Sequence, residues 1–215
     1  MKINAVNNTS FSAKNPTIRR ADNIVRKVNK EFPRISLSNF QGMKHIDYFK
    51  KVQNRLKKDL TNMRVDKFIN FVLAMEFKEK LKAIIEPIKK DKIGNCTESA
   101  NLTTLALKIN GIKNCQQAIL TTKDGEDFDH SIVIVNDEKP YIVDAWLGFA
   151  DYVPNAIKRY QKEFRHHFDF EKIGTEEMVV SDADSSIYTA TFVNQDFTDK
   201  ELKTIKRMYP ELVLK

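Results

Sequence analysis

The sequence predicts an α+β protein in which an antiparallel sheet packs on a helix that carries a cysteine, with a helical segment before this core. Three observations predict this class. Apolar residues recur at helical spacing over residues 16–92, a capped helix begins near residue 95, and short apolar runs then alternate with turn signals. Apolar residues make up 41% of the 215 residues, which is enough for a sizeable core.

Residues 1–15 are polar, rich in Asn, Ser and Thr, and show no period, so we predict a disordered leader there. This stretch lacks the apolar core of a secretory signal, and the chain has no run of about 18 apolar residues. We therefore expect no transmembrane segment. We expect either a cytoplasmic protein or one exported without a Sec-type signal peptide.

The segment 16–92 predicts three helices whose apolar stripes pack in the core. Pro33 ends the first helix and is followed by a loop from Arg34 to Gly42, and the third helix ends near Pro87. The stripes are Ile18, Ala21, Val25, Val28 and Phe32; Ile46, Phe49, Val52, Leu56 and Leu60; and Val65, Phe68, Ile69, Val72, Leu73, Phe77 and Leu81.

The segment 93–215 predicts mixed helices and strands, and we expect it to form one compact unit with residues 16–92. Asn95 is a good helix N-cap that Glu98 can complete as a capping box, and Asn110-Gly111 is a stop signal. The first expected element is a helix that buries Ser99, Leu102, Leu105, Ala106 and Ile109, and antiparallel strands follow at Ala118 to Thr122, Ser131 to Val135 and Tyr141 to Val143. We then expect a helix from about Pro154, which carries Ile157, Tyr160, Phe164 and Phe168, and a strand from Ile187 to Val193. A last helix is capped by Thr198 and Glu201 and carries Leu202, Ile205 and Met208.

The net charge of +7 is unevenly distributed. Residues 1–92 carry 22 Lys and Arg against 9 Asp and Glu, whereas residues 93–215 carry 14 against 20. One interpretation is a basic surface that binds an acidic partner, an anionic membrane or nucleic acid. The other is that the basic helices pack on an acidic half and have solvated outer faces, which the spread of the lysines over several helices favours.

Cys96, His130 and Asp144 are the candidate catalytic residues, separated by 34 and 14 residues. Cys96 follows the N-cap directly, and a helix N-terminus stabilises a thiolate and presents N–H groups to an oxyanion. His130 shares a strand face with Ile132 and Ile134, and Asp144 ends the next strand. Together they have the parts of an activated thiolate: a nucleophile, a base and a carboxylate that orients the base.

Other candidates are weaker. Cys115 is the rival nucleophile, but it begins a strand without a capping signal, so we expect a structural thiol. Two cysteines form no disulfide framework, and we expect both to be reduced. His45 and the pair His166-His167 have no second ligand type at metal spacing, so we predict neither a metal nor a cofactor.

The motifs Gly94-Asn95-Cys96-x-Glu98-x-Ala100, Asp129-His130-Ser131 and Val143-Asp144-Ala145-Trp146-Leu147-Gly148 resemble the papain-like, transglutaminase-like fold. Within it they are most similar to the Cys-His-Asp glutamine deamidases found among bacterial toxins and effectors. The resemblance covers residues 93–150. Papain-type enzymes place an oxyanion-hole Gln shortly before the cysteine, and residues 89–92 contain none. Asn95 and Gln116 are the candidates for that role, and Trp146 is a candidate supporting residue.

The resemblance implies that Cys96 attacks the carboxamide of a glutamine in a protein substrate and that His130 protonates the departing ammonia. Release of the thioester by an amine would make the enzyme a transglutaminase, and attack on a backbone amide would make it a protease. A hypothesis of another class is a non-enzymatic protein whose basic helices bind an anionic partner. The sequence predicts no oligomeric state.

Overall fold

The computed structural model describes residues 15–36, 47–122, 129–167, 178–182 and 188–214. These residues form an α+β structure, which confirms the predicted class at that level. Of the predicted leader only Asn15, which caps the first helix, lies within the described residues. In chain order the elements are α1 (Pro16–Glu31), α2 (Asp47–Leu73), α3 (Phe77–Asp91), α4 (Cys96–Ile109), β1 (Cys115–Thr122), β2 (Asp129–Val135), β3 (Tyr141–Asp144), β4 (Phe149–Tyr152), α5 (Val153–His167), β5 (Met178–Asp182), α6 (Tyr188–Asn194), α7 (Asp199–Met208) and a 3-10 turn (Pro210–Leu212).

The strands form one antiparallel sheet in the order β4-β3-β2-β1-β5. The three inner strands are those that the sequence predicts. The two edge strands were missed because each has only four or five residues and ends in polar residues, which gives a weak periodic signal. Val133 of β2 pairs with Val143 of β3. Because the two strands are antiparallel, the C-terminal end of β3 at Asp144 lies beside the N-terminal part of β2, which contains His130.

The sheet lies between two helical layers. On one face, residues of the inner strands such as Ile132 and Ile142 pack with Val153, Ala156 and Tyr160 of α5. On the other face, Val133 and Val143 pack in a larger core with α1, α3, α4 and α7. Because side chains alternate along a strand, His130 and Asp144 share the face of Ile132 and Ile142 and turn toward α5.

Helix α4 is buried around its whole circumference, whereas the sequence predicts a single buried stripe. The sheet covers one side of α4, and α1, α6 and α7 cover the others. Its buried polar residues are compatible with this position because several bond to the helix backbone or to neighbouring loops. Thr103 Oγ1 donates to Ser99 O at 2.7 Å, and Lys108 Nζ donates to Gln195 O at 2.8 Å.

Residues 16–92 contain the three predicted helices, but the predicted break between the second and third, between Leu60 and Val65, is wrong. Residues 47–73 form one continuous helix, and the break falls at residues 74–76, before α3. The buried seam of α2 contains Leu60, Met63 and Lys67. The stripe from Val65 to Leu73, which we expected in the core, lies on the opposite, exposed side. Because two apolar stripes lie on different sides of this one helix, the change from one stripe to the other gave a false helix boundary. Of these predictions, Ile46 and residues 37–42 of the predicted loop lie outside the described residues.

The predicted strand from Ile187 to Val193 is also wrong, because residues 188–194 form α6. Its β-branched and aromatic residues favour a strand, but tertiary packing overrides that preference. Ala190, Phe192 and Val193 are buried, and α6 packs on both α4 and β1. A helix can bury these three residues on one side, which a strand with alternating faces cannot do.

The remaining helix predictions are confirmed with shifted ends. Helix α3 continues past Pro87 to Asp91 and ends at Lys92, which has a left-handed φ of 52°. Helices α1, α5 and α7 occupy the predicted positions, and α7 has the predicted Thr198–Glu201 capping box. Among the described residues, no helix combines the length and the apolar character that a membrane span requires.

Candidate active site

Cys96 is the first residue of α4, directly after the N-cap Asn95. The Asn95 backbone N–H donates to Glu98 Oε2 at 3.0 Å, which is the predicted capping contact. The first intrahelical bond runs from the Ser99 N–H to the Asn95 carbonyl, so the N–H of Cys96 precedes the bonded part of the helix. Gly94 lies in a tight place just before this turn, since a Cβ there would be 3.0 Å from both Arg34 Cδ and Glu98 Cβ.

A buried charge cluster fixes the first turn of α4 against α2. Glu98 is fully buried, and its carboxylate accepts from Arg64 Nε at 3.0 Å, from Arg64 Nη2 at 2.9 Å and from Lys67 Nζ at 3.2 Å. Burial would raise the pKa of the Glu98 carboxyl, but Lys67 and Arg64 outweigh it and hold this pKa well below its usual range. Glu98 is therefore a carboxylate that joins the cysteine turn to α2.

His130 and Asp144 form a buried hydrogen-bonded pair, with 2.7 Å between His130 Nε2 and Asp144 Oδ2. The other oxygen of Asp144 accepts from the backbone N–H groups of Trp146 at 2.8 Å and Leu147 at 3.0 Å. Tyr160 Oη donates to Asp144 Oδ2 at 2.8 Å. Burial would raise the pKa of Asp144, but the charge and hydrogen bond of His130, with these donors, lower it. Asp144 is thus held as a carboxylate.

Cys96 and His130 form the second pair of the site. The imidazole of His130 and the backbone of Ser131 both interact with the thiol and lower the pKa of Cys96. Because Nε2 of His130 faces Asp144, Nδ1 is the nitrogen left for the thiol, the reverse of the imidazole orientation in Ser-His-Asp proteases. Thr97 Oγ1 lies 3.0 Å from Ser131 Oγ and holds the cysteine turn beside β2.

The charged forms of Cys96 and His130 stabilise each other. Burial alone would raise the pKa of the Cys96 thiol, but the hydrogen bond and positive charge of His130 outweigh it, so this pKa is lowered. Burial alone would lower the pKa of His130, but Asp144 and then Cys96 raise it above its ordinary value. The arrangement therefore favours a thiolate–imidazolium pair.

Ser36 and Trp146 form one wall of the site. The indole of Trp146 lies 4.8 Å from the His130 ring, centroid to centroid, and its Nε1 donates to Ser36 Oγ at 2.9 Å. Ser36 Oγ donates in turn to Asn95 Oδ1 at 2.8 Å. Two of the predicted supporting residues, Asn95 and Trp146, are thus connected beside the triad through Ser36.

Gln116, the third predicted supporting residue, is not brought to the triad. It pairs with Ile134, four residues along β1 from Leu120, the partner of His130. At about 3.3 Å per residue, this separation is roughly 13 Å along the strand. Its role in an oxyanion hole stays a prediction that its position does not support.

The sequence did not predict the part that four residues have in supporting the site: Tyr160, Ser36, Lys67 and Arg64. Tyr160 was assigned to an apolar stripe, although a tyrosine in a core position usually needs a partner for its hydroxyl. Ser36, Lys67 and Arg64 reach the site through contacts 59, 31 and 34 residues apart in sequence, for which the sequence carries no local signal.

Cys115, the rival nucleophile, is buried at the start of β1 with its Sγ 3.1 Å from the Ile112 carbonyl oxygen. Burial raises the pKa of the Cys115 thiol to about 12, although the charge of Lys108 opposes this rise. The two cysteines are thus placed in opposite electrostatic environments. His45 lies outside the described residues, and within the described part no group of three His, Cys, Asp or Glu side chains could hold a metal ion.

Comparisons of the chain with protein-family models, with curated proteins and with solved structures gave no match.

Replacing Tyr160 by phenylalanine is expected to lower the free energy of unfolding by roughly 1–3 kcal/mol, since it removes a hydrogen bond to a buried carboxylate. Tyr141→Phe is the matched control. The Tyr141 hydroxyl is also buried but has no hydrogen-bond partner among the described residues, so its removal should leave stability unchanged or higher. Urea unfolding of both variants measures the difference, and equal effects would contradict the role of Tyr160.

Proposed function

We propose that the protein is a cysteine-dependent hydrolase that deamidates a glutamine side chain of a protein substrate. The observation that carries the proposal is the continuous chain of contacts from the Cys96 thiol through His130 to the Asp144 carboxylate. Thiolate, base and orienting carboxylate are the parts that acyl transfer through a thioester requires. The choice of glutamine as the acyl donor rests on the resemblance of the three motifs to glutamine deamidases.

The reaction would proceed in two halves. The Cys96 thiolate attacks the side-chain carbonyl carbon, and the backbone N–H groups at the start of α4 donate to the developing oxyanion. The C–N bond breaks, and the imidazolium of His130 gives its proton to the departing ammonia. Neutral His130 then takes a proton from water, whose oxygen attacks the thioester. The products are glutamate and the free thiolate with its imidazolium restored.

The paired ionisations predict a bell-shaped dependence of turnover on pH. At low pH activity falls as the Cys96 thiolate becomes protonated, and because its pKa is lowered this fall lies below the range of an ordinary thiol. At high pH activity falls as the imidazolium of His130 loses its proton, and because its pKa is raised this fall lies above the range of an ordinary histidine. Initial rates from about pH 4 to pH 11 check both limbs.

The test of the reaction is mass spectrometry of glutamine-containing proteins, beginning with casein and extending to a panel of candidates. Deamidation replaces NH₂ by OH and raises the peptide mass by about 1 Da at each modified glutamine. Wild type and Cys115→Ala are expected to produce this shift, whereas Cys96→Ala and His130→Ala are not. A shift that persists in Cys96→Ala would refute the proposal.

The same samples separate the alternative acyl transfers. New peptide termini would identify a protease, and incorporation of dansylcadaverine would identify a transglutaminase. If Cys96 and Cys115 react equally slowly with iodoacetamide, the enzyme hypothesis is refuted and the basic binding protein is favoured. Such a protein should bind anionic vesicles or nucleic acid in a strongly salt-dependent way.

A further inference from the structure

The solvent-facing side of α2 carries an unusual concentration of exposed apolar residues. Seven large apolar side chains of the described residues are exposed, and six of them lie between residues 65 and 75. The exposed fractions are 51% for Val65, 48% for Ile69, 60% for Val72 and 73% for Leu73. Since single exposed apolar residues are common but a contiguous group on one face is not, this group marks an interaction surface.

The apolar group occupies one face of α2. Val65, Phe68, Ile69 and Val72 follow one another at steps of three and four, which places them on one side of a helix. The buried seam with Leu60, Met63 and Lys67 lies on the opposite side. We call the exposed side, from Lys51 to Val72, the outer face of α2.

The outer face has a basic half and an apolar half. Lys51, Arg55 and Lys58 are exposed and lie along the same side of the helix as Val65, two to four turns closer to its N-terminus, and Arg55 forms an ion pair with Asp59 at 3.8 Å. Positive charge and apolar area therefore follow one another along the helix axis. A surface with this order matches a partner whose apolar residues are followed by acidic ones.

The outer face belongs to the helix that holds the cysteine turn. Arg64 and Lys67 of α2 bind Glu98, two residues after Cys96. A helix with its side chains is about 10 Å across, so the apolar half lies roughly one helix diameter from this contact. A protein docked on the outer face would be held near the reacting thiol without occupying the reacting site.

We propose that the outer face of α2 is a docking surface for the protein substrate, which presents an amphipathic segment with apolar residues followed by acidic residues. This inference rests on the proposed function and names a feature of its substrate. Binding energy from such a surface positions a substrate without contacting the glutamine itself. It would give specificity for a protein rather than for free glutamine.

The order of basic and apolar residues along the outer face also disfavours a membrane and a second copy of the chain as its binding partner. Helices that lie on a membrane usually carry basic residues beside the apolar stripe along its length, whereas here the basic residues precede it on the same side. A second copy of the chain pairing along the whole outer face would place basic residues against basic ones in parallel, or against apolar ones in antiparallel, orientation. An acidic and apolar protein segment meets neither conflict.

The test uses the full chain carrying Cys96→Ser, so that binding is measured without reaction. The probe is a fluorescein-labelled helical peptide of about 20 residues with leucines on one half of a face and glutamates on the other half. A second peptide has lysines in place of the glutamates. Fluorescence anisotropy should show the acidic peptide binding at least tenfold more tightly than the basic one, with affinity that falls as salt rises.

Variants locate the binding site of the probe. Ile69→Gln with Val72→Gln should weaken binding of the acidic peptide at least tenfold, and Arg55→Glu with Lys58→Glu should weaken it and reduce its salt dependence. The matched control is Lys200→Glu with Lys203→Glu on α7, where both side chains are exposed and binding should be unchanged. All these positions are at the surface, and circular dichroism verifies folding.

Four results would overturn the inference. Two concern the peptides: equal affinity for both, or no effect of the apolar substitutions. The other two are binding to phosphatidylglycerol vesicles but not to the peptide, and self-association that Ile69→Gln with Val72→Gln abolishes in sedimentation. Iodoacetamide labelling of Cys96 in the same apolar variant of the native chain should stay at the wild-type rate. If the Cys96→Ser chain with an unchanged outer face does not bind the acidic peptide while Cys96 of the native chain is reactive, only the docking surface is refuted. If the peptide binds but Cys96 of the native chain is unreactive, only the proposed catalysis is refuted.

Discussion

Replacing His130 by glutamine is expected to slow alkylation of Cys96 at pH 6 by roughly tenfold to a hundredfold. The imidazolium is the main group that opposes the effect of burial on the thiol, so its loss should return the pKa of Cys96 to the range of an ordinary buried thiol or above it. The thiolate fraction at pH 6 then falls steeply. A more basic thiolate is intrinsically more nucleophilic, which recovers part of the loss and keeps the effect below the change in thiolate fraction.

The measurement is the second-order rate constant with iodoacetamide, determined on the Cys96 peptide by mass spectrometry. As the pH rises, the rate of His130→Gln should climb toward that of wild type, because a growing fraction of its thiol is then ionised. Asn114→Gln serves as a control, since this exposed side chain precedes β1 and lies away from the triad. A pH-independent loss in His130→Gln would indicate a structural defect rather than loss of the charge partner.

Replacing Lys67 by methionine is expected to lower the free energy of unfolding by roughly 3–5 kcal/mol. Methionine fills a similar volume, but Glu98 then stays buried with Arg64 as its remaining cationic partner, and the Arg64 side chain is 43% exposed. The matched variant Arg64→Met should cost less, because the buried Lys67 remains beside the carboxylate and the exposed guanidinium is partly screened by water.

The double variant Lys67→Met with Glu98→Gln provides the sharper comparison. Glutamine removes the buried negative charge but keeps an acceptor for the Asn95 N–H, as capping boxes accept either residue. We therefore expect the double variant to be more stable than Lys67→Met alone. Guanidinium unfolding of the four chains measures these differences, and a Lys67→Met chain as stable as wild type would refute a structural role for the cluster.

Local signals made the centre of the candidate site predictable. A capping pattern at Asn95 and Glu98 located the start of α4 and placed Cys96 at its first position. Alternation along β2 placed His130 on the face of Ile132, and the end of β3 at Asp144 follows from the short apolar run before it. These features depend on neighbours within a few residues, which the sequence displays directly.

Features that depend on distant contacts were not predictable in this way. The second partner of Asp144 is Tyr160 on α5, and the partners of Glu98 lie on α2, so nothing in their local sequence assigns these roles. Helix α2 shows the same limit, since periodicity reveals its two apolar stripes but not which of them the core covers. For α6, the preference of Thr189, Thr191 and Val193 for strands gave way to packing against α4.

The most direct test of the proposed chemistry is the pH dependence of iodoacetamide labelling at Cys96 and Cys115 in the native chain. The thiolate–imidazolium pair predicts that Cys96 reacts rapidly at pH values where ordinary thiols are protonated, with a midpoint below that of a free cysteine. Cys115, whose pKa burial raises to about 12, should stay unreactive until the protein unfolds. Slow labelling of Cys96 with the midpoint of an ordinary thiol, or equal rates at both cysteines, would contradict the assignment of Cys96 as an activated nucleophile.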